Sequence, residues 1–198
     1  TAELPVNRIF IYFDGNHERV DEQLKAGIAR VLGVRALAGK EKETKFYRNL
    51  PDWFNSGLNT YLSKQWTALD EDKVRDGILS KRFSTMQGLS EEEQRFLGYA
   101  IFHYIEEKYG KTAVTNLIYI TRRNLSTDYG LQFSIGVTTK ELLTQWYAFY
   151  RARYERESLE TVQPRADDSL SFKVKKERDY YQTKISPDGK YIAYAENQ

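Results

Sequence analysis

The stretch PDWFNSGLNTYLSKQW, residues 51–66, has the residue spacing of an amphipathic helix. Pro51 and Asp52 are residues that commonly begin a helix. The apolar residues that follow recur at helical intervals, at Phe54, Leu58, Tyr61 and Leu62. Most of the chain repeats this pattern, so the sequence predicts a mainly helical fold.

A further helix is predicted upstream of this stretch, from Asp21 to near Gly39. Four of its apolar residues fall at i, i+4, i+7 and i+8 and form a stripe along one face: Leu24, Ile28, Val31 and Leu32. The polar segment 38–49, which follows it, lacks such a period and is predicted to be a loop.

Helices are also predicted downstream, at 70–81, 90–110, 112–124 and 138–154, whereas segment 127–135 has no clear assignment. Two of them begin with capping boxes, in which a Ser or Thr and a Glu three residues later satisfy free N–H groups. The two pairs are Ser90 with Glu93 and Thr138 with Glu141. The predicted apolar face of the helix at 90–110 contains Leu97, Ile101, Tyr104 and Ile105.

The two ends of the chain have strand patterns instead. Residues 7–13, NRIFIYF, form a β-branched and aromatic run before an Asp-Gly pair, which predicts a buried strand that ends in a turn. Residues 169–198 alternate apolar and polar side chains around Pro187-Asp188-Gly189, a sequence typical of a β-hairpin turn. The predicted fold class is therefore mainly α (α+β), with an N-terminal strand and a C-terminal β-hairpin tail.

The composition limits the classes of function. Thirty Lys and Arg against 28 Asp and Glu give a formal net charge of +2, so no field of one sign indicates nucleic acid as a partner. There is no cysteine, which excludes disulfides and thiolate metal sites. No apolar run approaches the roughly 20 residues that a membrane helix needs, so no transmembrane segment is predicted.

Residues that carry common catalytic chemistry are scarce. The two histidines, His17 and His103, stand in different predicted elements, so no His-x-x-x-His zinc pair can form. We expect His17 to be solvated in a polar turn and His103 to be packed within a tyrosine-rich helix. The acidic run 91–93 stands in a first helical turn, where negative charge favours the helix dipole, and predicts no catalytic carboxylate cluster.

The order of a strand, an amphipathic helix, a loop, LPDWFNSGLNTYLS and later helices that end in TTKELLTQWYAFYRARY resembles the peptidase MA-like domains of the gluzincin zinc metallopeptidases. The resemblance covers residues 7–154. In active members of the family that this chain resembles, the first helix carries two zinc-binding histidines and a general-base glutamate. A glutamate on the helix at 52–64 would be the third ligand.

The resemblance also implies that the catalytic motif has been replaced in this chain. Residues 26–30 read AGIAR, so Ala26 and Arg30 stand at the two histidine positions and Gly27 at the general base. Ser56 stands at the third ligand position. We therefore predict no metal, no cofactor and no catalytic residue. The predicted remnant is a vestigial binding cleft lined by Ala26, Gly27, Arg30, Ser56 and Asn59.

The sequence ISPDGKYIAYAEN, residues 185–197, resembles the repeat of TolB-type β-propellers. The expected organisation is a degenerate peptidase MA-like domain at 1–154, a charged linker at 155–168 and the start of a TolB-like propeller region at 169–198. One hairpin cannot form a propeller, so we expect the chain to be the N-terminal part of a longer protein. The TolB resemblance implies an extracytoplasmic location, in the periplasm or cell envelope, with no signal in this chain.

Together the two resemblances predict that the chain is not an enzyme. It would be a binding or scaffolding module that works with a propeller in cis and has a protein or peptide as partner. The alternative is a metallopeptidase-related hydrolase whose catalytic residues are atypical or lie outside this chain. Carbohydrate binding is a third hypothesis, because 15 Tyr and 3 Trp offer stacking surfaces, although most of the tyrosines lie on helix faces where core packing is favoured.

Overall fold

The computed structural model describes residues 9–38, 50–160 and 180–196. Within these ranges the protein is mainly helical with a two-stranded antiparallel hairpin, which confirms the predicted fold class. The helices are α1 (His17–Ala38), α2 (Asp52–Ser63), α3 (Ala68–Leu79), α4 (Glu91–Tyr109), α5 (Lys111–Asn124), α6 (Thr127–Ile135) and α7 (Thr139–Glu160). The strands are β1 (Tyr180–Ile185) and β2 (Ile192–Glu196). The chain divides into two compact units, Thr1–Ser158 and Leu159–Gln198.

Helix α4 is the centre of the helical unit. Its buried residues include the whole predicted apolar face, Leu97, Ile101, Tyr104 and Ile105, each with no measurable exposure. Helices α2, α3 and α5 all pack against it. The segment 127–135, which had no clear assignment from the sequence, is helix α6 and packs against α5.

Helix α2 crosses α4 so closely that no side chain separates the two backbones. A Cβ atom added to Gly98 would lie 1.8 Å from the carbonyl oxygen of Trp53, and one added to Gly57 would lie 2.5 Å from the carbonyl carbon of Gly98. Beside this crossing the rings of Phe54 and Phe102 pack edge to face, with centroids 5.2 Å apart. Only glycine at both positions allows this approach.

Both predicted capping boxes are present. Ser90 Oγ accepts from the Glu93 N–H at 3.2 Å, and the Glu93 carboxylate accepts from the Ser90 N–H at 2.7 Å. Thr138 and Glu141 make the same reciprocal pair at the start of α7. Arg82 also donates two hydrogen bonds of 2.7 Å to Glu93, and together these contacts lower the pKa of Glu93 to about 2.

The predicted N-terminal strand is wrong for the residues that the structure describes. Residues 9–13 belong to no strand, and their side chains are exposed, from 38% at Ile9 to 75% at Tyr12. A strand needs a neighbouring strand, and no described segment pairs with this one. The side-chain amide of Gln23 bonds the main chain of Tyr12 instead. Residues 7 and 8 of the predicted strand lie outside the described residues.

The apolar stripe predicted for α1 is not its buried face. Leu24, Ile28 and Leu32 are 39%, 44% and 56% exposed. The buried residues of α1 are Ala29, Gly33, Val34 and Leu37. Helix α1 packs on α2 and α5 through this mostly small-residue face, because small side chains allow helices to approach closely.

The linker predicted at 155–168 begins too early. Helix α7 continues to Glu160, and the i,i+4 ion pair between Arg151 and Glu155 at 2.7 Å supports its last turns. No proline or glycine occurs in this segment before Pro164 that would end the helix. Residues 161–168 lie outside the described residues. Of the loop predicted at 38–49, Ala38 belongs to α1 and residues 39–49 lie outside the described residues.

The predicted C-terminal hairpin is confirmed over the residues that the structure describes. Strands β1 and β2 are antiparallel, with Ile185 opposite Ile192 next to the turn. Gly189 has a φ of +72°, which is the conformation that favours glycine in this turn. Ser186 Oγ and the Asp188 carboxylate hydrogen-bond at 2.6 Å, so the turn is held by its own side chains. The upstream part of the tail, 169–179, lies outside the described residues.

Substitution of Gly98 with alanine tests the close crossing of α2 and α4. The Gly98→Ala change is expected to lower the free energy of unfolding by about 2–3 kcal/mol, the usual cost of an overpacked core. This loss outweighs the gain of about 1 kcal/mol in helix propensity. Urea denaturation followed by circular dichroism measures the effect.

Gly27→Ala is the matched control, because its new Cβ meets only the side chain of Ile9. We expect this variant to remain within about 1 kcal/mol of the native protein. Equal destabilisation by the two substitutions would contradict a special role for the crossing.

Candidate functional site

Helices α1 and α2 carry the predicted cleft residues and pack against each other. Ala26 and Arg30 are exposed and lie one turn apart on α1. Ser56 and Asn59 are half-buried on α2. The structure therefore places these four residues on two neighbouring helices.

Gly27 does not face open space. A Cβ atom at this position would lie 2.4 Å from Cγ2 of Ile9, so the segment before α1 covers it. Gly27 therefore serves as a contact point for residues 9–13. A side chain longer than glycine at this position has room only if Ile9 moves.

The approach between the two helices is close at Gly33, which the sequence did not single out. A Cβ atom on Gly33 would lie 2.8 Å from Oδ1 of Asn59, and Asn59 Nδ2 donates to Asn55 Oδ1 at 3.4 Å. Asn59 is thus held from two sides, by its own helix and by the surface of α1. No motif marks Gly33, and only the helix packing reveals its role.

The side chain of Arg30 forms no ion pair with the other residues that the structure describes. In contrast, Arg19 on the same helix pairs with Asp14, and Lys25 pairs with Asp21 at 2.5 Å. Arg30 is therefore an exposed cation on α1, and the half-buried Ser56 and Asn59 lie on α2, against which α1 packs. Such a group recognises carboxylates through paired hydrogen bonds.

No three His, Asp or Glu side chains in the described part of the chain are grouped so that they could hold a metal ion. Among the described residues, no helix is long and apolar enough to cross a membrane. The prediction that this protein needs no metal or cofactor remains a prediction that solution measurements must test.

A second polar cluster lies at the packing of α3, α4 and α7, and the sequence did not predict it. Glu71 is its centre and accepts hydrogen bonds from Trp66 Nε1 at 3.1 Å and from the Tyr154 hydroxyl at 2.7 Å. Arg153 lies 3.8 Å from Glu71 and also contacts Glu107. These residues come from distant parts of the sequence and follow no spacing rule, so no sequence signal could have found them.

The cluster around Glu71 is suited to structure rather than to proton transfer. Burial, and then the hydrogen bond to Glu71, raise the pKa of Tyr154, which keeps its hydroxyl protonated as a donor. Glu71 and Glu107 share the guanidinium of Arg153, so both carboxylates are held in ion pairs. The hydrogen bonds and ion pairs of Glu71 tie α3 to α7, which is a structural role.

His103 is packed, as predicted. Its ring stacks on Trp66 with centroids 4.0 Å apart, and its Nδ1 is buried without a hydrogen-bond partner among the described residues. Burial lowers the pKa of His103, while the nearby carboxylates of Glu107, Glu71 and Glu106 act in the opposite direction. His17 is exposed at the start of α1, in agreement with the solvated position expected for it.

Four of the tyrosines on α4 and α7 pack in the core, as expected, whereas Tyr109 and Tyr147 on the same helices are partly buried. Tyr99, Tyr104, Tyr150 and Tyr154 are each at most 2% exposed. Their rings are therefore closed to a sugar, which leaves the carbohydrate-binding hypothesis without support from these residues. The hydroxyls of Tyr99 and Tyr150 have no hydrogen-bond partner among the described residues.

A shallow depression of about 330 Å³ lies at the C-terminal end of α5 and is lined by Tyr119, Arg122, Arg123 and Leu125. Both arginines stand in the last turn of α5, where positive charge complements the helix dipole. The helix dipole therefore explains why two arginines stand here, and no ligand is needed to explain their charge.

Comparisons with known proteins give no relative for this chain. No family model, no curated protein and no solved structure matches it. The resemblance to the peptidase MA-like domains and to TolB-type propellers therefore remains a prediction from the residues quoted above.

The buried position of His103 predicts a pH dependence of stability. Its folded pKa lies below the value of about 6.5 for an unfolded chain, so protonation favours unfolding. The stability is complete above about pH 6.5 and is lost as the pH falls from there toward the folded pKa. We expect the free energy of unfolding to decrease between pH 7 and pH 5.

His103→Phe isolates this contribution, because phenylalanine can keep the stacking on Trp66 but cannot titrate. Denaturation with urea at several pH values should give a smaller decrease for the variant than for the native protein. Identical pH profiles for the two proteins would show that His103 is not responsible.

Proposed function

We propose that this chain is a non-catalytic, peptidase-like binding module of a larger propeller-containing protein. The surface formed by α1 and α2 would receive a protein or peptide partner. The observation that carries this proposal is the exposed side chain of Arg30, which has no ion pair among the described residues and belongs to a helix that packs against α2. The resemblance implies that an active relative would hold a zinc ligand at this position.

The chemistry of these side chains favours a partner that presents a carboxylate. Arg30 offers a planar, permanently charged fork that matches a carboxylate with two hydrogen bonds. Ser56 offers a hydroxyl, which can bond the main chain of a peptide. An acidic side chain or a peptide C-terminus is therefore the group that this surface would bind.

The rival proposal of a hydrolase gains no support from the described residues. The carboxylates of Glu71 and Glu107 are both within ion-pair distance of Arg153. The positions that the resemblance assigns to zinc and to the general base carry Ala26, Arg30, Gly27 and Ser56, none of which can replace a His or Glu ligand. The propeller in cis and the extracytoplasmic location rest on the resemblance of the tail to TolB-type repeats.

The role of Arg30 can be tested by titrating the protein with short acidic peptides that have a free C-terminus. Arg30→Ala is expected to weaken binding by about tenfold or more, which is about 1.4 kcal/mol. Hydrogen bonds to charged groups contribute about 1.5–3 kcal/mol each, so a loss of this size is reasonable. Isothermal titration calorimetry measures the affinity.

Arg35→Ala is the control, because Arg35 is exposed on the same helix but follows Arg30 by five residues and points in another direction. This variant should bind the peptides as the native protein does. Equal losses in the two variants, or no binding by the native protein, would contradict the proposed carboxylate site.

Restoring the missing ligands tests the relation to zinc peptidases. The triple variant Ala26→His, Arg30→His and Ser56→Glu places two imidazoles one turn apart and a carboxylate on the neighbouring helix. Gly27 is left unchanged, because Ile9 occupies the space that a side chain there would need. We expect the triple variant to bind zinc and the native protein to bind none.

Two controls distinguish a three-ligand zinc site from zinc binding by any pair of histidines one turn apart. Ala26→His with Arg30→His, but with Ser56 kept, should bind zinc about tenfold more weakly than the triple variant. Leu24→His with Ile28→His forms an equally spaced pair on another face of α1, and adding Ser56→Glu to it should bring no gain. Zinc bound to the native protein would overturn the non-catalytic proposal.

A further inference from the structure

One main-chain edge of the segment IFIYF, residues 9–13, is hydrogen-bonded to a side chain of α1. Gln23 Nε2 donates to the Tyr12 carbonyl at 2.9 Å, and the Tyr12 N–H donates to Gln23 Oε1 at 2.9 Å. One planar amide can reach both groups only if they point in the same direction, as they do in an extended residue. Gln23 thus takes the place of a neighbouring strand for Tyr12.

From Ile9 to Tyr12 the exposure of the side chains alternates, which is the period of an extended chain, whereas Phe13 at the end of the segment is 57% exposed. Ile9 and Ile11 are 38% and 42% exposed, whereas Phe10 and Tyr12 are 62% and 75% exposed. Ile9 lies over Gly27, so the less exposed face is turned toward α1. The segment is therefore an extended chain that rests on α1 without belonging to a sheet.

The opposite main-chain edge of this segment is unpaired within residues 9–38, 50–160 and 180–196. In an extended chain the main-chain groups of successive residues point to opposite edges, so those of Ile11 and Phe13 face away from the edge that bonds Gln23. Neither residue has a main-chain hydrogen bond to another residue that the structure describes. All five residues are apolar or aromatic, and an uncharged open edge of this kind is a template for pairing with another strand.

We infer that this edge pairs with the same edge of a second copy of the chain, antiparallel and centred on Ile11. In this register Ile11 lies opposite Ile11 of the other copy, Ile9 opposite Phe13, and Phe10 opposite Tyr12. The first pair is aliphatic, the second joins an aliphatic to an aromatic side chain, and the third is aromatic. Apolar cross-strand pairs of these kinds stabilise a sheet. The sequence is self-complementary, with no charge to repel, which is what a twofold interface requires.

The hydrogen-bonding pattern agrees with this register. The outward N–H and C=O groups of Ile11 would bond those of Ile11 in the other copy, so the twofold axis passes through a hydrogen-bonded pair. Tyr12 keeps its bonds to Gln23 on the other edge. This dimer does not depend on the Arg30 surface, and its failure would leave the proposed function untouched.

A charge exchange at the twofold axis tests the register. Sedimentation equilibrium of the full 198-residue chain should show a dimer. Ile11→Lys and Ile11→Glu should each raise the dissociation constant at least about tenfold, because like charges then face each other. An equimolar mixture of the two variants should restore the dimer, since Lys then faces Glu.

Leu69→Lys is the control, because Leu69 is 80% exposed on α3 and lies outside the proposed interface. It should leave dimerisation unchanged. Circular dichroism checks that each variant remains folded, which is expected because Ile11 is exposed. The inference is overturned if the native chain is monomeric, if Ile11→Lys dimerises normally, or if the mixture fails to restore the dimer.

A single cysteine gives a second test that does not depend on charge. The chain contains no cysteine, so Ile11→Cys introduces its only thiol. Directly opposite residues in such a pair have Cα atoms about 5.5 Å apart, which is within the range of a disulfide. Mild oxidation should give a covalent dimer of Ile11→Cys, and much less of one for Leu69→Cys. Equal yields for the two variants would count against the register.

Discussion

The contact between the backbones of Gly57 and Gly98 is the constraint on which the helical unit depends. A Cβ atom at either position would overlap main-chain atoms of the other helix, so α2 and α4 can approach this closely only with glycine at both positions. The crossing sets the positions of the aromatic rings around it. It also fixes where α1 can pack, because α1 lies against α2. The placement of the helix that carries Arg30 against the helix that carries Ser56 therefore follows from two glycines that carry no chemistry.

The sequence predicts well those features that depend on residues close to one another in the chain. The helices around Leu58, Leu97 and Leu142 follow from the period of apolar residues, and the capping boxes at Ser90 and Thr138 follow from a spacing of three. Both signals are local, because a helix forms its hydrogen bonds within itself. The turn at Gly189 was predictable for the same reason.

Features that depend on distant residues were not predictable. The strand pattern of residues 9–13 is real, but a strand also needs a neighbour, and local sequence cannot say whether one exists. The face of α1 was misjudged because Ala29 and Gly33 pack closely while the larger Leu24 and Ile28 stay exposed. The cluster around Glu71 joins residues of three helices that lie far apart in the sequence, so no local pattern could predict it. The cleft residues came from a resemblance, and neither periodicity nor composition could have proposed them.

Helix α7 closes the core with contacts to residues far earlier in the chain. The Tyr147 hydroxyl donates to the Ile78 carbonyl at 3.2 Å, and Tyr154 donates to Glu71, partners that lie 69 and 83 residues apart. Trp146 and Tyr150 on the same helix are fully buried. During synthesis on the ribosome, α3 and α4 are made well before these rings can cover them. The nascent chain therefore keeps apolar surface uncovered until α7 emerges, and it is over this interval that a chaperone would be needed.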